Sequence, residues 1–276
     1  MIFVRDKGQM CNNILQYAHT YAWAREHGRT SMSMRFAYKY QYFHICSTKY
    51  HNFYCYLFAK LLLKTKLIKS AKFTSLSSDQ SEQEQLLRSH KHIIVEGWYI
   101  RYFDLFLKYK LEILQLFTFN KDITYAVDKF LPNQIDSKEV NIGIHVRRGD
   151  YIDWANGKYY FDDTVYCNAA INIINLFPTQ KCNFYICSND PRINKDLYVQ
   201  SLACHKVIFP NGNPGEDLCT LSRCNYIIGP PSSFSLTASM YGNARLHWIE
   251  HRNEELTLDS FDIFDNLFRK FDEFGN

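Results

Sequence analysis

The chain has 276 residues, 46% hydrophobic and 22% charged, a soluble globular balance with room for one large domain or two of ordinary size. Eleven glycines and seven prolines exclude a fibrous chain, and an aromatic content of 16% excludes a solvated coil. The net charge is only +4, but residues 27–78 carry no acid against nine Lys and Arg, so the positive charge is concentrated. That segment fits either an anionic partner or an ordinary solvated face.

In chain order, Ile2 to Arg5 reads as a strand, and its early charge argues against a signal peptide. The loop Asp6 to Asn12 follows, then a helix from Asn13 to about His27 that Gly28 stops. The apolar stretch Phe53 to Ile68 is too short and too lysine-rich to span a bilayer. It fits a helix packed in a core, or one lying on a membrane surface. Ser77 to Gln85 is a polar link, His92 to Glu96 a strand, and Pro132 to Lys138 a hinge between halves.

Beyond it, strand and helix alternate: strand Val140 to Val146, helix Asp162 to Phe177, strand Asn183 to Cys187, helix Arg192 to Ala203, strand Lys206 to Phe209. A short helix from Glu216, strand Tyr226 to Gly229, a helix from Phe234 and strand Arg245 to Ile249 complete the series. Such alternation implies right-handed crossovers and a parallel sheet, with ligands bound beyond the carboxyl ends of its strands. Ser260 to Phe274 closes the chain as an amphipathic helix. Nine cysteines without a C-x-x-C pair suit a reduced, cytosolic protein and give no structural zinc spacing.

Three polar turns follow strands: His145 to Asp150, Ser188 to Asp190 and Pro230 to Ser235. Alternation sets Gly143, His145 and Arg147 on one face and Ile142, Ile144 and Val146 on the other. Arg147 then projects from the strand end, where a guanidinium grips phosphate with two parallel hydrogen bonds. Arg148 points the opposite way, toward an acidic partner. A purely structural ion-pair knot accounts for these residues equally well. Ser232 and Ser233 open a helix, either as an ordinary cap or as an anion site. No D-x-D, Walker loop, G-x-G-x-x-G or nucleophile elbow occurs, so a nucleotide diphosphate here would be neutralised by arginine and helix termini instead of a metal.

Ile144-His-Val-Arg-Arg-Gly-Asp-Tyr151 resembles the donor-site motif of the bacterial α-1,2-fucosyltransferases of glycosyltransferase family 11, within the superfamily of GDP-fucose-dependent enzymes. Gly8 to Ala18 is similar to that family's G-G-L-G-N-Q segment, with Gly8-Gln-Met-Cys-Asn-Asn13 in its place. Phe184 to Asp190 and Asp217 to Ser235 resemble two further family segments, in the same order. The resemblance implies an α/β, GT-B-like fold: two Rossmann-like domains facing across a cleft. Residues 1–135 are then an acceptor-side domain, 136–255 the donor domain, and 256–276 a helix with the option of packing back on the first.

The implied reaction is inverting, metal-independent transfer of L-fucose from GDP-fucose to a glycan hydroxyl, galactose O2 in a surface glycan. Arg147 carries over as the catalytic residue on the β-phosphate. His145, Asp190, Asp217, Ser232, Ser233 and Asn12 carry over as donor-binding residues, and Arg148 and Asp150 as structural residues of the site. Asp6, Asp150 and Glu96 remain open as general base. No cofactor is implied beyond the GDP-fucose donor. The expected partners are an oligosaccharide or lipid-linked acceptor and, as an option, the inner face of a membrane, in a cytoplasmic setting without nucleic acid. The rivals are a non-catalytic nucleotide-sugar or glycan-binding protein on the same fold, and a transferase of another GDP-sugar.

Overall fold

A computed structural model describes residues 1–75, 80–132, 138–242 and 244–275. The chain forms two compact units, residues 1–120 and 121–276. The sequence-derived boundary at 135/136 and most of the Pro132 to Lys138 hinge fall at or within 133–137, outside the described residues. So does the front of the Ser77 to Gln85 link.

The first unit runs β1 (Ile2–Arg5), α1 (Met10–Glu26), β2 (Ser31–Ser33), α2 (Phe53–Thr65), β3 (Lys69–Lys72), α3 (Ser81–Ser89), β4 (Ile93–Glu96), α4 (Phe103–Lys108) and α5 (Lys110–Leu116). Its four strands are parallel in the order β2-β1-β4-β3. Helix α1 buries thirteen of its seventeen residues, polar Asn13, Gln16, His19 and Thr20 among them, so it is the centre of the unit. It begins three residues before the expected start and ends where Gly28 turns left-handed at φ +60°. The back half of the polar link is helical, as α3.

Strands β2 and β3 carry too little apolar pattern to read from sequence. Lys69-Ser-Ala-Lys72 buries only Ala71, and both strands are sheet edges, where charge and brevity discourage further pairing.

The second unit runs α6 (Lys121–Asp128), β5 (Glu139–Val146), α7 (Asp163–Leu176), β6 (Lys181–Ser188), α8 (Lys195–Ser201), β7 (Lys206–Ile208), α9 (Pro214–Ser222), β8 (Tyr226–Gly229), α10 (Ser233–Gly242), β9 (Arg245–Trp248) and α11 (Phe264–Lys270). All five strands are parallel, in the order β7-β6-β5-β8-β9. This is the doubly wound sheet that the alternation requires, with β5 at its centre.

Local chemistry starts these helices. The Asp162 carboxylate accepts from the N–H groups of Thr164 and Val165, Asn194 from Leu197, and Asn213 from Gly215 and Glu216, with Pro214 in the first helical turn. Ile142, Ile144 and Val146 join Val165, Tyr166 and Ile173 of α7 in one apolar core. On the other face a Cβ on Gly143 would meet the Leu221 side chain, so α9 packs there. The closing segment becomes helical at Phe264, four residues later than expected, and runs as α11 and then as a 3-10 helix over Phe271–Gly275; its Phe271 and Phe274 rings pack on Trp248 inside the second unit.

Candidate donor-phosphate site

The carboxyl ends of β5 and β8 meet at the centre of the second sheet. They pass so closely that a Cβ on Gly229 would lie 2.6 Å from the His145 carbonyl oxygen. His145 is buried, and its ring stacks on Phe234 of α10, centroids 5.0 Å apart. Burial, helped by the Arg147 charge, pushes the imidazole down to about 3, so it is neutral at physiological pH. Its Nδ1 is buried without a protein partner. A ring held neutral, stacked and short of one hydrogen bond is equipped to bind a polar ligand edge.

The alternation continues past the strand. Arg147 lies on the His145 face, its guanidinium 5.4 Å from the Tyr151 ring centre and 2.5 Å from an Asp150 oxygen. Asp150 is 59% exposed and Arg147 only 13%, so the acid sits on the solvent side of the arginine. Tyr151 donates its hydroxyl proton to the Pro231 carbonyl, tying this loop to the turn before α10. Burial pushes that phenol up to about 12, so it remains a donor. In the turn itself the buried Ser232 hydroxyl accepts from the Phe234 N–H and caps α10, with Ser233 as the first helical residue. A cation and a helix N-terminus are therefore linked through Tyr151, whose ring faces Arg147 and whose hydroxyl bonds the turn before α10.

Arg148 turns to the opposite face. It is buried, pairs with Asp163 at 2.6 Å, lies 3.8 Å from Asp190 and donates to the Phe161 carbonyl at 3.0 Å. Tyr198 and the Asn194 N–H also donate to Asp163. Asp190 is buried, and bonds from the Arg192 side chain and N–H hold it below the usual carboxylate range. Its oxygens therefore serve Arg192 of its own loop and, at longer range, Arg148 of the loop after β5. Asp217, in the first turn of α9, has a buried Oδ1 without a protein partner, and burial next to Glu216 raises it to about 7.

The sequence reading singled out neither Phe234, Tyr151 nor Asp163 as a separate contributor. Tyr151 and Phe234 lie inside the quoted motifs, and Asp163 directly follows a legible cap.

Asn12 belongs to the first unit, in the first turn of α1, below the loop after β1. Gly8 there has φ +88°, and a Cβ on it would strike the Asn12 amide. The Gln16 side chain clasps the loop from both sides, accepting from the Lys7 N–H and donating to the Lys7 carbonyl. Asp6 is buried. Its carboxylate accepts from the Ser33 hydroxyl and the Arg35 N–H, one oxygen lacks a protein partner, and burial raises it to about 7. Glu96 is held by Arg5 and Ser70. Although burial opposes it, those bonds keep Glu96 below the usual carboxylate range. Among the described residues no cluster of three or more His, Cys, Asp or Glu could hold a metal ion. None of the nine cysteines is joined in a disulfide.

Residues 98–252, more than half of the chain, match the profile of glycosyl transferase family 11. No curated protein matches the sequence. Among solved structures the fold is similar to that of a point mutant of Arabidopsis thaliana FUT1 in complex with GDP, at 10% identity over 95% of this chain and 73% of that one, TM-score 0.59. It is also similar to POFUT1 in complex with GDP, at 10% identity over 87% and 93%, TM-score 0.57. NodZ α-1,6-fucosyltransferase soaked with GDP-fucose is 13% identical over 94% and 96%, TM-score 0.51. These likenesses establish an α/β fold of the GT-B-like kind.

Proposed function

The chain belongs to glycosyl transferase family 11 and is a glycosyltransferase; from that premise we propose that it transfers L-fucose from GDP-fucose to a hydroxyl of a surface glycan, galactose O2 being the acceptor position. The observation that carries this reading is the group formed by Arg147, Tyr151 and the capped start of α10, beside a neutral, stacked His145. It supplies a cation and a helix N-terminus where a diphosphate would lie. The GDP and GDP-fucose in complexes of similar fold support the choice of donor.

In the proposed reaction the acceptor oxygen attacks the anomeric carbon from the face opposite the leaving group. The carbon–oxygen bond to the β-phosphate breaks, its electron pair leaves with GDP, and the configuration inverts. The acceptor proton passes to a base or to solvent. Charge grows on the β-phosphate as the bond breaks, so two N–H groups of Arg147 and the α10 dipole act most strongly on the transition state. His145 through its free Nδ1, and Asp217 through its unpartnered oxygen, suit the nucleoside end of the donor. Asp150 neutralises Arg147 and holds it in place, and Arg148 with Asp163 and Asp190 fixes the loop from behind.

The test is a GDP-release assay with GDP-fucose, GDP-mannose and UDP-sugars against galactose-terminated acceptors, with NMR assignment of the linkage formed. Fucose-specific turnover giving an inverted product at galactose O2 is the expected result. Donor binding without turnover on any acceptor would instead support a non-catalytic binding protein.

A further inference from the structure

Helix α2 packs in the first unit by its smaller side. Ala59 is buried, and Cys55, Tyr56, Leu62 and Leu63 lean on a core that includes Phe3, Met32 and Ile94. The opposite side is left uncovered. Phe53, Tyr54, Leu57, Phe58 and Leu61 are each between 44% and 83% exposed, and Leu67 just beyond the helix is 73% exposed. Their spacing sets the five helical residues on one arc of about 140°. Scattered exposed apolar residues need no explanation, but a continuous aromatic-rich stripe does.

The charge around the stripe has one sign. Lys60 and Lys64 are exposed one turn apart, Lys60 just outside the stripe's edge and Lys64 just inside it; Lys66 caps the helix, Lys69 follows, and residues 27–78 contain no acid. Every cation from 53 to 72 is lysine and none is arginine. Protein–protein interfaces favour arginine and are depleted in lysine, whereas mobile ammonium groups suit a fluid array of phosphates.

We propose that this face of α2 docks on an anionic membrane surface. The helix lies in the interfacial plane, with its aromatic and leucine side chains among the upper acyl chains and its lysines at the level of the lipid phosphates. At thirteen residues α2 is about 20 Å long, too short to cross a hydrocarbon core of about 30 Å. The proposal concerns the first unit alone and does not depend on which sugar is transferred.

The full chain is sedimented with phosphatidylcholine vesicles, with and without phosphatidylglycerol, at low and high salt. Binding is expected only to the anionic vesicles and is expected to weaken with salt. The Lys60→Gln, Lys64→Gln double variant should bind about 30-fold more weakly, at about fivefold per lysine. Phe58→Ser with Leu61→Ser should lose at least about tenfold, since both side chains leave hydrocarbon contact. Thermal melts check that each variant is folded, and the single Leu57→Ser replaces the apolar pair if that pair melts low. Absence of binding to anionic vesicles, or equal binding by the folded lysine variant, would overturn the proposal. So would a dimer in analytical ultracentrifugation that Leu61→Ser dissolves while the vesicles stay bare.

Discussion

Two adjacent arginines show how sharply a single position divides roles. Arg147 contacts a half-open acid and an aromatic ring, while Arg148 is sealed among Asp163, Asp190 and a carbonyl. Arg147→Lys keeps the charge but loses the planar fork, so turnover should fall by roughly two to three orders of magnitude, with a smaller loss of GDP affinity. Arg148→Lys forfeits the carbonyl bond and the close pairing. It should lower the melting temperature while the folded fraction keeps most of its activity. Near-normal turnover in Arg147→Lys would show that the roles are exchanged.

Asp6 supplies a pH test. Burial raises it to about 7, so the folded state retains a proton that the unfolded chain has released above about pH 4. This stabilisation is complete below the unfolded pKa and is lost as pH rises through the folded one. In Asp6→Asn that titration is gone. Wild-type minus variant stability, from denaturant unfolding, should therefore slope downward by about 1 kcal/mol per pH unit between about pH 4 and 7. A flat difference would mean that Asp6 is ionised throughout.

At the level of elements, the site depends on how closely β8 approaches β5. Gly229→Ala would push a methyl to 2.6 Å from the His145 carbonyl oxygen and 3.0 Å from its Cβ, neither of which can swing away. A cost of about 1–3 kcal/mol is expected, together with weaker GDP binding as His145 shifts off Phe234. Gly143→Ala meets the end of the Leu221 side chain at 2.6 Å, which can rotate, so it should cost less. Denaturant midpoints of the two variants rank them, and the reverse order would refute the close-approach argument. The same elements mark what sequence can convey. Strand β5 and caps such as Asp162 and Asn213 are local features, and the sequence-derived elements there lie within a few residues of the observed ones. Strand β3, with one buried residue in four, has no local signature because it exists only as the partner of β4.

For the whole molecule, the proposed diphosphate site has an arginine and a helix end, and the described residues hold no carboxylate cluster for a metal bridge. Calorimetric titration with GDP should therefore give the same affinity with and without EDTA. An affinity that collapses on chelation and returns with Mg²⁺ or Mn²⁺ would overturn the arginine-based reading. A net charge of only +4 gives little general pull on a nucleotide, which places the burden on these local groups.

The sequence by itself determined the alternation of the second unit, the polar turns at its strand ends and the split of Ile144 from His145 across β5. These depend on the two-residue period of a strand and on capping chemistry, both written within a few neighbouring residues. Only the tertiary structure decided that β5 is flanked by β6 and β8, that Arg148 is matched by Asp163, that Phe234 covers His145, and that α2 buries its small side and leaves Phe53, Tyr54 and Phe58 uncovered. Each of those outcomes joins residues far apart in the chain or chooses between two apolar faces of one helix. A local pattern states that a face is apolar, but only packing against distant residues settles which face is covered.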